Sequence, residues 1–350
     1  MAERKTEPRL SAPENSDRVP LALNPQDDGP SPAKVKAEIG FIGLGRMGCA
    51  MARNLTNAGF NVLRYTRHRE QAVELARRGL PATTNLADLF DCEIVVTMVT
   101  DDAAAREVVF GHDALGLDGL AMGLSPGSIH LSMSTISPAM SHELAAQHAK
   151  YGQGYVAAPV LGNPEAARAR ELFVLAAGAP IDVDRCKPLL EAMGKQTFVI
   201  GAEPGEANLV KLTSNMMVAA TLELISEAFT LLRKRSVDPA MVLDILTGTM
   251  FGSRVHKLYG EKIANERYVA GNFVLPLALK DVRLALAEAE AAAVPMPTIS
   301  VVRDRLITGI ARGYAGMDWT ALGLIAGEDA GLGAGKLPPE PVKESSDDHA

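Results

Sequence analysis

Short apolar runs alternate with longer amphipathic segments from Lys36 to about Gly201. The runs have the length and the aliphatic content of buried strands, whereas the segments between them have helical periodicity. The runs are EIGFIG, NVLRYT, EIVVTMV, SIHLSMS, GYVAAPV, LFVLAAG and TFVIG. This alternation predicts a mostly parallel sheet with helices on both of its faces.

The pattern changes after Gly201, where the strand-like runs stop. Residues 206–237 contain neither glycine nor proline, which predicts one long helix. Further helices are predicted at 239–246, 254–265, 277–293 and 298–312. We therefore expect an α/β domain at 35–201 and an all-helical domain at 202–330. The polar, proline-rich ends, 1–34 and 331–350, are expected to be disordered tails.

Composition argues against several functional classes. The net charge of −7 gives no reason to expect a nucleic acid or an anionic membrane as partner. The first residues lack the apolar segment of a signal peptide, and no uncharged apolar run approaches membrane-spanning length. The three cysteines lie far apart without a CxxC pair, and the histidines show no metal-ligand spacing. We therefore expect a cytoplasmic protein without a metal site.

The segment GFIGLGRMGCAMARNL carries a Gly-x-Gly-x-x-Gly pattern between a predicted strand and a predicted helix. Gly43 allows a tight turn, Gly45 lets the backbone approach a pyrophosphate, and Gly48 lets the helix pack closely on the strand. The alternative is a plain strand-to-helix turn. The context in the first βαβ unit favours dinucleotide binding. The residues predicted to contact the cofactor here are Gly43, Leu44, Gly45, Arg46, Met47 and Gly48.

The end of the second predicted strand, VLRYTRHRE, indicates which dinucleotide binds. An NAD site usually carries an acid there, which bonds the ribose hydroxyls. Here no acid precedes Glu70. A guanidinium pairs with the 2′-phosphate of NADP, which a carboxylate would repel. We therefore predict NADP(H), with Arg67 at the 2′-phosphate and Thr66 and His68 beside it. The alternative is a solvated, basic helix start.

Four motifs in order resemble those of the β-hydroxyacid dehydrogenases, which include 3-hydroxyisobutyrate dehydrogenase and glyoxylate/succinic semialdehyde reductases. The motifs are GFIGLGRMGCAMARNL, MSTISP (133–138), GEANLVKLTSN (205–215) and LALKDVRLAL (277–286). The resemblance implies a Rossmann-type doubly wound α/β domain, a long interdomain helix, and an all-α C-terminal domain like that of 6-phosphogluconate dehydrogenase. It also implies an active site in the cleft and a homodimer or homotetramer.

The chemistry that the resemblance implies is reversible hydride transfer between a nicotinamide and a hydroxy acid or its carbonyl partner. Lys211 matches the catalytic position. Lys211 and Asn215 are four residues apart, so they share a face of the predicted helix. The resemblance places the substrate at Ser134, Thr135, Gly162, Asn163, Asn215 and Lys280, and the cofactor also at Val99, Thr100 and Asp281. From spacing alone, a snorkelling lysine at a domain boundary remains the alternative for Lys211.

The segment AAPVLGNPEAA departs from the family pattern. Ala157, Leu161 and Asn163 stand where the family usually has an acid, a serine and a glycine. A pocket with a leucine here could accept a larger or less polar substrate. Two alternatives to a β-hydroxyacid dehydrogenase follow: an imine reductase-like enzyme, although such enzymes usually carry Asp or Tyr at the position of Lys211, and a weakly catalytic NADP-binding interaction module.

Overall fold

The computed structural model describes residues 39–112, 117–269 and 273–333. Residues 1–34 and most of 331–350, predicted to be tails, lie outside the described residues. The strands are β1 (Ile39–Ile42), β2 (Val62–Tyr65), β3 (Ala82–Thr83), β4 (Ile94–Thr97), β5 (Gly111–His112), β6 (Leu117–Asp118), β7 (Ile129–Ser132), β8 (Gly154–Ala157), β9 (Val160–Leu161), β10 (Leu172–Gly178) and β11 (Gly194–Gly201).

Helices separate most of these strands and then continue alone. They are α1 (Arg46–Asn57), α2 (Arg69–Arg77), α3 (Asp102–Phe110), α4 (Leu120–Gly123), α5 (Pro138–Lys150), α6 (Pro164–Arg168), α7 (Pro180–Met193), α8 (Pro204–Lys234), α9 (Pro239–Gly248), α10 (Arg254–Ala264), α11 (Leu275–Ala291), α12 (Pro297–Ala311) and α13 (Leu322–Asp329). The predicted α/β fold followed by helices is confirmed.

The main sheet has the order β11-β10-β8-β7-β4-β1-β2-β3, with β9 paired to β10. Its pairs are parallel except those of β10 with β8 and β9. The run GYVAAPV, expected as one strand, forms the separate strands β8 and β9. Pro159 lies between them, and a proline has no N–H group to donate to a strand partner.

The strand order reverses between β1 and β4, which are neighbours at the centre of the sheet. Chain segments leaving two such strands diverge and leave a crevice at their carboxyl ends, where open α/β sheets bind ligands. The glycine loop follows β1, and the segment from Met98 to Thr100 follows β4. The topology therefore brings two of the predicted cofactor segments together.

Helix α8 is the central element of the helical part. It packs against α10, α11, α12 and α13, and also against α5 of the α/β part. By length and composition it is apolar enough to cross a membrane, but 44% of its most apolar window is buried inside the structure. Leu222 and Phe229 belong to the helical core, together with Trp319. The buried part of α8 thus belongs to the helical core.

Two buried histidines, one on β7 and one on α5, form a hydrogen-bonded chain. His130 Nδ1 lies 2.8 Å from His148 Nε2, and His130 Nε2 lies 2.9 Å from Thr97 Oγ1. His148 Nδ1 lies 2.6 Å from Gln153 Oε1. Burial lowers the pKa of His130 well below its usual value, and lowers the pKa of His148 to about 4. Both rings are therefore neutral at physiological pH.

Acidification below pH ~6.5 is expected to reduce the free energy of unfolding because the unfolded imidazoles bind protons first. The loss from His148 accumulates as the pH falls from about 6.5 towards its folded pKa of about 4 and reaches the order of 3 kcal/mol. Urea unfolding at a series of pH values measures this slope. His148→Gln should flatten it, whereas His142→Gln, an exposed site on the same helix, should not. An unchanged slope in His148→Gln would contradict the assignment.

Candidate functional site

At two glycines of the Gly-x-Gly-x-x-Gly motif after β1, a side chain would collide with the backbone. At the third, a side chain would enter open space. Gly43 has φ +93°, and a Cβ there would lie 2.2 Å from Met98 O. A Cβ on Gly48 would lie 1.9 Å from Gly43 O. In contrast, a Cβ on Gly45 would meet nothing within 4 Å. Gly43 and Gly48 therefore permit the close packing of the loop, while the space beside Gly45 stays open.

The glycine loop ends at the N-terminus of α1, whose N-cap is Gly45. No side chain caps this helix, and its first turn contains no acidic residue. The first N–H groups of a helix and its dipole attract an anion. Gln71 Nε2 and Cys49 Sγ each donate to Leu44 O at 3.1 Å and hold the loop. The open space and the uncapped helix end therefore fit a pyrophosphate.

A cavity of about 770 Å³ lies beside this loop. It brings together predicted cofactor residues from the loops after β1, β2 and β4 with α3. Among the residues that line it are Gly43, Leu44, Gly45, Thr66, Arg67, His68, Val99, Thr100 and Glu107. Of the other predicted cofactor residues, Arg46, Met47 and Gly48 begin α1, and Asp281 lies in α11.

At the far end of the loop after β2, Arg67 pairs with Glu107 of α3. Arg67 Nη1 lies 3.0 and 2.9 Å from the two carboxylate oxygens, and Arg67 Nε donates to His68 Nε2 at 3.2 Å. Thr66 is buried, and its hydroxyl accepts from His68 N at 3.3 Å. Sequence reasoning did not single out Glu107, although the predicted cofactor residues Val99 and Thr100 lie just before its helix.

Lys211, the predicted catalytic residue, lies in a hydrogen-bonded chain between α8 and α11 with one predicted substrate residue and one predicted cofactor residue. Lys211 Nζ donates to Asn215 Oδ1 at 3.0 Å, and Asn215 Nδ2 donates to Asp281 Oδ2 at 2.5 Å. Lys211 is 8% exposed. Burial lowers its pKa to about 8, against the opposing charge of Asp281. A lysine with this pKa can donate and accept a proton near neutral pH.

Lys280 ties α11 to the α/β part. Its Nζ donates to Thr100 O at 3.0 Å and to Thr135 O at 2.5 Å, and lies 2.9 Å from Asp281 Oδ1. The first two contacts are hydrogen bonds, and the third is an ion pair. Asp281 is only 1% exposed, and its carboxylate contacts Asn215 and Lys280. The predicted contacts of Lys280 with substrate and of Asp281 with cofactor stay predictions.

Ser134 lies in the loop after β7 and is fully buried. Its hydroxyl accepts from Val99 N at 2.8 Å and donates to Thr97 O at 3.4 Å. The side chain therefore holds the loop that carries Val99 and Thr100 against the sheet. The predicted contact of Ser134 with substrate stays a prediction.

The segment that departs from the family pattern begins a short helix. Asn163 Oδ1 accepts from Ala166 N at 2.9 Å and caps α6, and Pro164 occupies the first helical position. Gly162 has φ +146°. Asn163 lines a second cavity of about 720 Å³ with residues of α10, apart from the lining of the glycine-loop cavity. Substrate contacts of Gly162 and Asn163 stay predictions.

Residue 161 lies in an apolar environment. Leu161 packs with Ala157 in a cluster that also contains Ala207 of α8 and Val99.

Within the part of the chain that the structure describes, no group of three His, Cys, Asp or Glu side chains could hold a metal ion. The arrangement thus offers a dinucleotide cradle and a lysine of lowered pKa.

Comparisons with known proteins cover both parts of the chain. Residues 38–201 match the family described as the NAD binding domain of 6-phosphogluconate dehydrogenase, and residues 205–324 match that described as NAD-binding of NADP-dependent 3-hydroxyisobutyrate dehydrogenase. An uncharacterised oxidoreductase of Bacillus subtilis is 37% identical over 81% of this chain and 98% of its own. The 2-hydroxy-3-oxopropionate reductase of Escherichia coli is 32% identical over 81% of this chain and 95% of its own.

Solved structures agree with these matches. A 3-hydroxyisobutyrate dehydrogenase from Salmonella typhimurium superimposes with a TM-score of 0.72 at 25% identity, covering 81% of this chain and 98% of its own. The protein Psf3, solved in complex with NADP+ and 2-OPP, superimposes with a TM-score of 0.71 at 26% identity, with the same two coverages of 81% and 98%.

Proposed function

Because the chain belongs to the β-hydroxyacid dehydrogenase family, we propose that it reduces a small carbonyl compound with NADPH and catalyses the reverse oxidation. It is an NAD(P)-dependent oxidoreductase of the hydroxy-acid class. The observation that carries the proposal is the chain from Lys211 through Asn215 to Asp281, which holds a buried lysine of lowered pKa between the two parts of the fold.

Lys211 is the proposed proton donor. A bound nicotinamide supplies the hydride to the carbonyl carbon. The carbonyl oxygen gains negative charge as this happens, and the Lys211 ammonium stabilises it and then transfers a proton. Asn215 accepts one hydrogen bond from Nζ, which directs the remaining hydrogens elsewhere. In the oxidation direction the neutral amine accepts the proton of the hydroxyl group.

The proposed substrate is a small carbonyl compound or the matching hydroxy acid. The Escherichia coli relative is named for reduction of 2-hydroxy-3-oxopropionate. The family usually has a serine at the position of Leu161, so this chain lacks a hydroxyl in the motif that the family uses for the substrate carboxylate. The backbone N–H groups of Gly162 and Asn163 remain. The proposed substrate contacts are Ser134, Thr135, Gly162, Asn163, Asn215 and Lys280.

The proposed preference is for NADP(H) over NAD(H). Arg67 lines the cavity beside the glycine loop, where its guanidinium could pair with a 2′-phosphate. No acid on the loop after β2 precedes Glu70. The complex of Psf3 with NADP+ further supports this preference.

Oxidation of NADPH, followed by absorbance with a panel of carbonyl compounds, tests the function. The panel holds glyoxylate, succinic semialdehyde, larger aldehydes and keto acids, and a cyclic imine, with NADH in parallel. We expect turnover of an acid-bearing carbonyl with NADPH. Turnover of the imine alone would refute the proposed reaction class, and faster turnover with NADH would refute the cofactor preference.

We further infer that two copies pair through α8. Val210, Met217, Leu224 and Leu231 are exposed and spaced by seven residues, so they line one side of the helix.

Neither a nucleic acid nor a membrane is a proposed partner, because the chain is acidic. All three cysteines are free, which supports a reducing, cytoplasmic compartment.

Replacing Met217 and Leu224 together with glutamate is expected to convert the oligomer to a monomer because the charges would be desolvated in the interface. Size-exclusion chromatography with light scattering measures the mass. The matched control is Met241→Glu, which changes an exposed methionine on α9. A monomeric wild type, or a double variant of unchanged mass, would refute this interface.

A further inference from the structure

The cavity beside the glycine loop contains a carboxylate that the loop after β2 lacks. Glu107 comes from α3, forty positions after Arg67, and the two side chains meet with both carboxylate oxygens near Nη1. Both residues line the cavity. The cavity therefore contains a carboxylate from α3, although no acid precedes Glu70 after β2.

The charge of Glu107 acts on this end of the cavity. Burial raises the pKa of the Tyr65 hydroxyl, and the negative charge of Glu107 raises it further against the opposing charge of Arg67. Arg106, next to Glu107 in sequence, does not neutralise it, because its guanidinium pairs with Glu143 of α5. Arg67 and Glu107 are 61% and 50% exposed, so a ligand entering the cavity can reach both.

A 2′-phosphate and the Glu107 carboxylate would compete for one guanidinium. The phosphate must displace the carboxylate from Arg67 or bind beside it, and it meets like-charge repulsion in either case. A ribose 2′-hydroxyl has no charge and can donate a hydrogen bond to the same carboxylate. The ion pair between Arg67 and Glu107 therefore opposes NADP(H) and favours NAD(H).

We propose that Glu107 is a cofactor-specificity residue. Its carboxylate pairs with the Arg67 guanidinium in the absence of cofactor, and thereby limits the preference for NADP(H) over NAD(H). This rests on the proposed 2′-phosphate site at Arg67. It also assigns Glu107 a ligand, the ribose 2′-hydroxyl of NAD(H). Both side chains are at the surface, so substitution leaves the buried core intact.

Titration of NADPH and NADH into the substrate-free protein, followed by cofactor fluorescence, tests this proposal in the Glu107→Gln variant. Glutamine keeps the size of the side chain and removes its charge. We expect the Kd for NADPH to fall roughly 3- to 10-fold, as for loss of an exposed ion pair plus a like-charge contact. The Kd for NADH should rise by about 2-fold or more because a neutral acceptor binds a hydroxyl more weakly.

The matched control is Glu261→Gln, which removes an exposed carboxylate that pairs with Arg267, outside the lining of this cavity. It should leave the ratio of the two Kd values unchanged. An unchanged ratio in Glu107→Gln would overturn the proposal. So would an unchanged NADPH affinity in Arg67→Ala, because the 2′-phosphate would then bind elsewhere. These titrations need no turnover, so a wild type that binds NADPH but reduces no carbonyl refutes only the proposed function.

Discussion

Replacing Lys211 with methionine is expected to lower kcat for carbonyl reduction by roughly 10²- to 10⁴-fold, the usual contribution of a general acid. Methionine has a similar length and fills the buried space next to Asn215 without donating a proton. The affinity for NADPH should change by less than about 3-fold, which is under 1 kcal/mol. Steady-state kinetics and a cofactor titration on one preparation separate the two effects.

The pH dependence gives a second readout of Lys211. Its pKa is about 8, so the ammonium that donates the proton is present below that pH and is lost above it. The kcat for reduction should therefore fall as the pH rises through about 8, and the kcat for oxidation should fall as the pH drops through the same value. In Lys211→Met, neither the kcat for reduction nor the kcat for oxidation should show this change with pH.

The matched control for Lys211 is Lys187→Met, which removes an exposed lysine from α7. Its kinetics should equal those of the wild type. Full turnover by Lys211→Met would exclude Lys211 as the proton donor. Loss of NADPH affinity together with kcat would instead indicate that the lysine supports the cofactor site.

Replacing Gly45 with alanine is expected to weaken NADPH binding by roughly 10- to 100-fold while the protein stays folded. Overfilling a packed contact costs about 1–3 kcal/mol, which corresponds to that range of affinity. The added methyl group enters the space that the pyrophosphate needs, yet meets no protein atom within 4 Å. The φ of −77° is compatible with alanine, so only the weaker helix cap, about 1 kcal/mol, affects stability.

Thermal unfolding and a cofactor titration measure the two properties of Gly45→Ala. Gly248→Ala is the matched control: this glycine lies at the end of α9, and a Cβ there would also meet nothing within 4 Å. Gly43→Ala should behave differently and lose stability, because its Cβ would collide with Met98 O. Wild-type affinity in Gly45→Ala would show that the pyrophosphate does not pass over this loop.

Features that depend on local periodicity and on backbone conformation could be predicted from single segments of the chain. Alternating runs predicted the strands and helices, because each element must bury one face. The long helix was predicted at 206–237 and is found at Pro204–Lys234, beginning at a proline whose φ suits the first turn. Lys211 and Asn215 were paired in advance because residues four apart on a helix are neighbours.

The groups that complete the site come from distant positions and could not be predicted from single segments. Asp281 reaches Asn215 across 66 positions, and Lys280 reaches Thr100 O across 180. Glu107 reaches Arg67 because β2 and β4 both pair parallel with β1, so the loop after β2 and the chain leaving β4 towards α3 lie at the same edge of the sheet. Such contacts depend on how whole elements pack against one another. The residue types and their spacing within one segment give no information about that packing. The sequence therefore indicated the cofactor cradle and the lysine, whereas the fold supplied the charges that surround them.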